Sequence, residues 1–380
     1  MTRDGPIPHG VPETVDSETL RQWIESGSPL SVLDVRPLKD RAEWSIPGSV
    51  HIDAYEALWA HDPHALDSLT LPHGRPVVTV CALGQTSLIA SALLRSRGIL
   101  AYSLEGGMRA WSGAWNTAEV PGPRADNRVI QVRRTGKGCI SYMTGSAGEA
   151  VVIDASVEPE VYLGIARDNG WRISSLVETH VHADHVSRAR ALSLSTGARI
   201  FIPAQNRVTY PHVAVFDKDR LPIGAHPDLF TAIRTPGHTM ESTCYLLAGT
   251  ILFTGDTLFL GSVGRPDLEG GLAEAESRAR DLHRSLGSLC ALPEGTLILP
   301  AHTAVPVPFD GIPLCATLGQ VMKQNPFLGM HEDAFVSSIL AHIPATPSNF
   351  LRILESNETG VFPDGDIADL EGGSNRCAIA

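Results

Sequence analysis

Histidines and aspartates at short spacings could bind a metal ion in the middle of the chain. The segment His180-Val181-His182-Ala183-Asp184-His185 follows an apolar strand candidate at 173–177, so its side chains should emerge where a strand turns into a loop. Imidazole and carboxylate groups at alternate positions can converge on one cation. Further candidates each follow an apolar run: His238, Asp256 and His302. A lone histidine is more often a hydrogen-bonded surface residue, but this ordered set predicts a metal site.

A cysteine earlier in the chain, Cys81, is placed where its thiol could act as a nucleophile. It follows the apolar run 77–80 and precedes a short loop, after which a helix is predicted from Thr86. Backbone N–H groups at a helix N-terminus favour negative charge, so the thiolate should be stabilised. The alternative is that Cys81 is a small buried hydrophobic residue.

The remaining cysteines are widely spread, with no short repeating spacing: Cys139, Cys244, Cys290, Cys315 and Cys377. A disulfide scaffold or a CxxC zinc site would give regular short spacings. We therefore expect reduced thiols.

The elements that position Cys81 read as an α/β domain with a parallel sheet, because short apolar runs alternate with helical stretches over 12–115. Strands are predicted at 30–35, 77–80 and 101–103, and helices at 16–27 and 86–97. The segment 121–127 then combines two prolines with polar residues, which predicts a linker.

The elements that position the metal candidates begin with closely spaced β-rich runs at 129–133, 139–143 and 150–154. Strands then alternate with helices, and one such helix is predicted at 272–289. This order predicts a sandwich of two sheets with outer helices. We therefore expect domains at 1–120 and 128–360, joined by the linker 121–127. The residues 361–380 are rich in Gly and Asp and are expected to form a mobile tail.

Composition restricts the classes of partner. The chain of 380 residues has a formal net charge of -12, whereas nucleic acids and anionic membranes need a basic surface, so neither is expected as a partner. The first ten residues have no apolar core that could act as a secretory signal, and no run is long enough to span a membrane. The cytoplasm is the expected location, and whether the chain forms a homodimer stays open.

The segment Cys81-x-x-Gly84-x-x-Ser87 resembles the active loop of rhodanese-like sulfurtransferases. Three further hallmarks of that family appear in order, at Asp34-Val35-Arg36, Ile46-Pro47-Gly48 and Leu104-Glu105-Gly106-Gly107-Met108-Arg109-Ala110-Trp111. The resemblance implies that Cys81 is catalytic, accepting sulfane sulfur as a persulfide and passing it to another nucleophile.

This loop departs from the family pattern, because Ala82 and Thr86 stand where the family commonly has arginines. Anionic donors should be held less well. Thiosulfate is therefore expected to be a poor donor, and a low-molecular-weight or internally delivered persulfide a better one. A degenerate docking domain is the alternative.

The ordered set His-x-His-x-Asp-His, His, Asp, His resembles the metallo-β-lactamase superfamily over about 129–357, which implies an αββα sandwich. Two groups within it fit best. One is the iron-dependent persulfide dioxygenases similar to the ethylmalonic encephalopathy protein, which bind one metal. The other is the glyoxalase II thioester hydrolases, which bind two. Both groups retain the full ligand set, so the set itself does not choose between them.

The surrounding sequence is more similar to the dioxygenases. The block that carries this resemblance contains Gly264, Arg265 and Asp267, and further similar segments are Gly138-Cys139-Ile140-Ser141-Tyr142 and Pro347-Ser348-Asn349-Phe350 followed by Asn357. The presence of both domains in one chain also favours the dioxygenase, because a sulfurtransferase and a persulfide oxidase would share sulfane sulfur as an intermediate. A thioester hydrolase would share no intermediate with the sulfurtransferase.

The resemblance implies one Fe(II) held by His180, His238 and Asp256. Arg265 would clamp a substrate carboxylate, with a structural pair to Asp267 as the alternative. The remaining candidates would orient these ligands or hold a second metal: His182, Asp184, His185 and His302.

The implied reaction is oxidation of a thiol persulfide by O₂ to sulfite and free thiol, where the thiol is of the glutathione type or another small thiol. The alternative function is a dizinc thioester hydrolase with an accessory rhodanese domain. A sulfane-sulfur sensor without turnover is the third hypothesis.

Overall fold

The computed structural model describes residues 13–72, 74–123, 127–223, 226–268, 270–347, 349–362, 365–373 and 376–379. The first ten residues, on which the prediction about a secretory signal rests, lie outside these ranges. Three sheets of five, seven and six strands organise the described chain. No helix in these ranges is long and apolar enough to cross a membrane.

The five-stranded sheet belongs to the N-terminal domain, and all of its pairings are parallel, in the order β1-β5-β4-β2-β3. Its strands are β1 (Thr14–Val15), β2 (Ser31–Asp34), β3 (Val50–His51), β4 (Val77–Val80) and β5 (Ala101–Leu104). Its helices are α1 (Ser17–Glu25), α2 (Leu38–Glu43), α3 (Tyr55–Trp59), α4 (Gln85–Ser96) and α5 (Gly107–Trp111). The predicted parallel α/β domain is confirmed.

The second domain contains the other two sheets. The seven-stranded sheet runs β12-β11-β10-β9-β8-β7-β6 and consists of β6 (Asn116–Val120), β7 (Arg128–Arg133), β8 (Ile140–Ser146), β9 (Glu149–Ile153), β10 (Arg172–Val177), β11 (Arg199–Pro203) and β12 (Val213–Val215). The six-stranded sheet follows chain order and consists of β13 (Arg220–Ile223), β14 (His226–Arg234), β15 (Thr243–Leu247), β16 (Ile251–Gly255), β17 (Leu297–Pro300) and β18 (Ala316–Thr317).

The two sheets pack face to face, because alternate residues of each strand are apolar and must leave water. The shared core contains Val129, Tyr142 and Val151 from one sheet with Phe253 and Leu299 from the other. Helices cover both outer faces, as in the predicted αββα sandwich, which is confirmed. They are α6 (Pro159–Asp168), α7 (Ala189–Thr196), α8 (Gly271–Cys290), α9 (Leu318–Gln324), α10 (Glu332–Ala341) and α11 (Phe350–Thr359), with a 3₁₀ turn at Pro326–Gly329. A short helix, α12 (Ile367–Leu370), contacts α5 of the first domain.

The boundary between the domains lies earlier in the chain than the sequence indicated. Strand β6 pairs antiparallel with β7, from Asn116↔Arg133 to Val120↔Val129, so it is an edge strand of the second domain's sheet. The segment 121–127, expected to link two domains, therefore lies between two paired strands of one sheet, and its residues 124–126 are outside the described ranges. A polar two-proline segment predicts either arrangement, since a hairpin connection and a linker both need a break in secondary structure.

The C-terminal segment is packed where we expected a mobile tail. In its described part, Leu370 and Ile379 are buried, Ala378 forms a β-bridge with Gly264, and the Ile379 N–H donates to the Val263 carbonyl. The few apolar side chains of this segment are enough to anchor it, and its carboxylate Glu371 is buried in ion pairs with arginines of the second domain. The expectation of a tail is therefore wrong for these residues.

Candidate metal centre and sulfur-carrying loop

The predicted metal ligands come together at one edge of the sandwich. His180 follows the end of β10, His238 follows β14, Asp256 follows β16, and His302 follows β17. These strands end at the same edge of the two facing sheets, so their loops converge. None of the seven histidine and aspartate candidates is more than 4% exposed. The site is therefore built by strand ends and shielded from water.

Three ligand atoms of this set face one another. The Nε2 atom of His180 lies 3.8 Å from Asp256 Oδ2, and the Nε2 atom of His238 lies 3.5 Å from the same oxygen. His180 Nε2 and Asp256 Oδ2 are buried and have no hydrogen-bond partner among the described residues. A buried polar atom without a partner is costly, so these atoms fit the role of ligands to a bound cation.

The other nitrogen of each ring is fixed by a hydrogen bond. His238 Nδ1 donates to the Arg265 carbonyl at 2.7 Å, and His180 Nδ1 lies 2.9 Å from Thr179 Oγ1. Such bonds set the tautomer and orientation of metal-binding histidines. Two histidines and one carboxylate form a donor set that can hold non-haem Fe(II) or Zn²⁺.

The charge states of these groups suit a cation. Burial lowers the pKa of His180 well below its usual value, so the imidazole is neutral and keeps a lone pair for a metal. Burial would raise the pKa of Asp256, but the neighbouring His302 and the two facing histidines outweigh it and lower that pKa. The carboxylate is therefore ionised.

Two residues that could hold a second metal ion, His302 and Asp184, are hydrogen-bonded to each other. His302 Nε2 lies 2.9 Å from Asp184 Oδ2, and His302 Nδ1 lies 2.5 Å from Asp256 Oδ1. His185 Nδ1 contacts the other oxygen of Asp184 at 3.1 Å. His182 Nε2 faces two carboxylates, Glu178 at 2.9 Å and Asp154 at 3.2 Å. The described atoms that lack partners here are His182 Nδ1 and His185 Nε2.

Two cysteines to which the sequence analysis gave no role lie at the metal site. Cys139 Sγ donates to Asp184 Oδ2 at 3.3 Å, and the Cys377 thiol lies with the ligand atoms of Asp256 and His302 within 4.8 Å of one another. Cys139 belongs to the segment 138–142, whose family resemblance was the available signal. Cys377 gave no signal, because it falls in the segment expected to be a tail.

Two side chains form hydrogen bonds to the backbone of the loop from His180 to Arg188. Asn357 Nδ2 donates to the carbonyls of His182 and His185, each at 2.8 Å. Glu371 accepts from the Val186 N–H at 2.7 Å. Both partners come from the C-terminal part of the chain, so this part is needed to fix the geometry of the metal loop.

The role expected for Arg265 as a substrate clamp is contradicted by its environment. Its side chain is fully buried and forms a bidentate pair with Asp267, at 2.8 and 2.7 Å, and NH1 donates to the Ala345 and Arg376 carbonyls. No guanidinium edge remains for a substrate carboxylate. The preceding Gly264 explains the rest of this block, because a Cβ there would lie 1.9 Å from the Asp256 carbonyl oxygen.

The Cys81 thiol lies where β4 ends and α4 begins, as predicted. Cys81 Sγ accepts from the Gly84 N–H at 3.1 Å and lies 3.3 Å from Ser87 Oγ. Gly84 has a φ of +88°, and a Cβ there would lie 2.9 Å from the Gly106 nitrogen, so only glycine fits. The loop therefore supplies hydrogen bonds that stabilise a thiolate or a persulfide.

Ala82 and Thr86, the two departures from the family pattern, differ in exposure. Ala82 is exposed beside the even more prominent Leu83, which is 59% exposed, while Thr86 is buried. The α5 residues Met108 and Arg109 donate their N–H groups to the Cys81 and Ala82 carbonyls. The exposed side chains of the loop at positions 82 and 83 are thus apolar, and a charged donor finds no arginine at position 82.

The folds and the two sites define the class of protein. Residues 16–114 match the rhodanese-like domain family, and residues 134–302 match the metallo-beta-lactamase superfamily. The chain carries an N-terminal rhodanese-like domain followed by a metallo-beta-lactamase domain.

More particular similarities concern the second domain. The chain is 27% identical to a metallo-beta-lactamase from Staphylococcus aureus, with a TM-score of 0.56 over 62% of this chain and 73% of that one. It is 26% identical to ETHE1 from Myxococcus xanthus, with a TM-score of 0.53 over 60% of this chain and 97% of that one. It is 32% identical to a hydroxyacylglutathione hydrolase of Pseudomonas entomophila over 40% of this chain, and it spans 56% of that protein's length.

Proposed function

We propose that the second domain is an Fe(II)-dependent persulfide dioxygenase and that Cys81 of the first domain carries sulfane sulfur for it. The observation that carries the proposal is the set of three converging ligand atoms, of which His180 Nε2 and Asp256 Oδ2 are buried without partners. One cation bound by two histidines and one carboxylate would satisfy them. The structural likeness to ETHE1 supports the same assignment.

The number of metal ions separates this function from its rival. A second ion would need Asp184 and His302, yet both nitrogens of His302 already face carboxylate oxygens, and Asp184 bonds to both His302 and His185. Binding there would replace the contacts that His302 makes with Asp184 and Asp256, although it would give a partner to His182 Nδ1 and His185 Nε2, which have no hydrogen-bond partner among the described residues. A single ion at the other position replaces no such contact, which favours one metal per chain.

When bound, iron would supply the activation of O₂ and hold the outer sulfur of the persulfide at the positions that the three side chains leave open. The Arg265 carbonyl and Thr179 hold the two histidine rings in place. His302 lies between Asp256 and Asp184, where it could move a proton. The balanced reaction converts a thiol persulfide, O₂ and water into the free thiol, sulfite and two protons.

The second candidate function is a dizinc thioester hydrolase. It is favoured by the similarity to hydroxyacylglutathione hydrolase and by the presence of all seven histidine and aspartate residues. Glutathione-related chemistry is common to both hypotheses, so a small thiol is the expected leaving group in either case.

Metal analysis of purified protein, combined with assays of thioester cleavage and sulfite release, tests the proposal. We expect about one iron per chain and sulfite release from glutathione persulfide under air. Two zinc ions together with cleavage of a glutathione thioester would establish the hydrolase instead.

A further inference from the structure

Two cavities lie between the sulfur-carrying loop and the metal site. The first, which we call the sulfur-side cavity, has a volume of about 340 Å³ and is lined by Ala82, Leu83 and Met108 among others. The second, the metal-side cavity, has a volume of about 160 Å³ and is lined by Asp184 and Lys137 among others. Small-ligand sites begin at roughly 300 Å³, so together they suit a small molecule.

The two cavities meet at Gly372 and Gly373, which line both of them. Neither residue has a side chain, so these two positions place only backbone between the space beside Ala82 and Leu83, next to Cys81 in the loop, and the space beside Asp184. Asp184 in turn contacts His302, whose other nitrogen contacts Asp256. The metal-side cavity therefore ends within two hydrogen bonds of the proposed iron ligand.

The residues before the two glycines are fixed to both domains. On the first domain, Arg109 of α5 pairs with Asp366 at 2.8 Å and also with Asp369. On the second domain, the Glu371 carboxylate pairs with Arg134 at 2.5 Å and with Arg188 at 3.0 Å. These pairs hold the C-terminal segment across the interface, so both cavities are products of the assembled chain.

The charges of the sulfur-side cavity are already matched. Its guanidinium groups are those of Arg36, paired with Asp34, and Arg109, paired as described. Its lining also contains the carboxylates of Asp40 and Glu43 and the apolar surfaces of Trp44 and Leu83. A persulfide group, which carries at most one negative charge on its sulfur, fits these walls better than a small dianion does.

We propose that the two cavities form one internal route, along which a small thiol takes the sulfane sulfur from Cys81 and delivers it to the metal site. The inference rests on the proposed function, since it names how that site receives its substrate. In the transfer step, the thiolate of the small molecule attacks the outer sulfur of the Cys81 persulfide. The bond between that sulfur and Cys81 Sγ breaks, a new S–S bond forms on the small thiol, and Cys81 leaves as a thiolate.

A single-turnover experiment on the iron-loaded full chain tests the route. Cys81 is loaded with inorganic polysulfide, the excess is removed, and loading is verified by mass spectrometry. Glutathione and air are then added with or without a thiol resin, which consumes persulfide in solution but is too large to enter the cavities. We expect the sulfite yield to be unchanged by the resin. Loss of sulfite in its presence would show release into solution and would overturn the route.

A substitution at the meeting point provides the second arm. In Gly372→Phe, the new Cβ would meet the Ala368 carbonyl at 3.4 Å, an ordinary contact, and the ring would fill space at the junction. For each variant we take the ratio of the sulfite yield with resin to two reference rates, namely Cys81 loading and O₂ uptake with free glutathione persulfide. In Gly372→Phe we expect this ratio to fall severalfold. The matched control Gly287→Phe lies on the exposed face of α8 with nothing within 4 Å of its new Cβ, and it should not change that ratio. An unchanged ratio in Gly372→Phe would overturn the route.

The separate half-reactions distinguish the two failures. If iron-loaded protein takes up no O₂ with free glutathione persulfide, the proposed function fails before the route is examined. If both half-reactions proceed but the resin removes all sulfite, only the internal route fails.

Discussion

His302 and Asp256 are joined through one carboxylate oxygen, with His302 Nδ1 at 2.5 Å from Asp256 Oδ1. The other oxygen, Oδ2, is the one that faces His180 and His238. Asp256 therefore divides its two oxygens between a hydrogen bond and the proposed metal position. In a dinuclear site, the same carboxylate and His302 would both have to serve a second ion.

The two active sites should be separable by mutation. His238→Ala removes one of three ligands, so iron content and O₂ uptake should fall to background. Cys81→Ser should keep O₂ uptake with free glutathione persulfide and lose sulfur transfer, because the serine hydroxyl cannot carry sulfane sulfur. An oxygen electrode and a sulfur-transfer assay measure both. Equal loss of both activities in each variant would refute two separate sites.

The pair between Arg265 and Asp267 should be structural. Asp267→Ala leaves a fully buried guanidinium without its carboxylate and should lower the free energy of unfolding by about 3–5 kcal/mol. Urea denaturation measures this change. The exposed pair between Glu276 and Arg280 gives the control, since Glu276→Ala should leave the free energy of unfolding almost unchanged. If Arg265 instead bound a substrate carboxylate, Asp267→Ala would leave the free energy of unfolding unchanged and would raise the KM for the substrate.

Glu371 should make stability depend on pH in the acid range. Burial alone would raise its pKa, but Arg134 and Arg188 lower the pKa from 4.5 to about 2. Since the pKa is lower in the folded state, the stabilisation is complete above pH 4.5 and is lost as the pH falls towards 2. Such a shift corresponds to on the order of 3 kcal/mol.

The difference in unfolding free energy between wild type and Glu371→Gln isolates this group. It should be largest above pH 4.5 and shrink below it, whereas the exposed control Glu276→Gln should show little change. A difference that does not vary with pH would show that Glu371 is not ionised in its arginine pairs.

A positive charge at position 82 should improve the use of thiosulfate. Ala82 is exposed and lines the sulfur-side cavity, which has no unmatched guanidinium among its described residues. Ala82→Arg should raise kcat/KM for sulfur transfer from thiosulfate by roughly tenfold, and the gain should shrink at high salt. Leu194→Arg, at a site 80% exposed elsewhere, is the control. No gain in Ala82→Arg would show that charge at this position does not limit the donor.

The sequence predicted those parts of the sites whose residues are neighbours along the chain. The Cys81 loop and the segment from His180 to His185 each combine a strand end, a turn and functional side chains within a few residues. His238, Asp256 and His302 were found because each follows its own apolar strand. Local pattern therefore predicted both folds and the candidate ligands that the structure brings together.

The sequence could not predict the contacts between residues that lie far apart along the chain. Glu371 binds Arg134 and Arg188, which lie 237 and 183 positions away, and nothing in its own neighbourhood shows that it is buried. Strand β6 was assigned to the wrong domain for the same reason, because its partner β7 lies beyond the proline-rich segment. Arg265 allowed two interpretations, and only the position of its side chain chose between them.

Oxygen uptake measured together with sulfite formation tests the central claim most directly. With iron-loaded protein and glutathione persulfide, we expect one O₂ to be consumed for each sulfite formed, and both to vanish in His238→Ala. Cleavage of a glutathione thioester by the zinc-loaded protein, with no oxygen uptake by the iron-loaded protein, would contradict it.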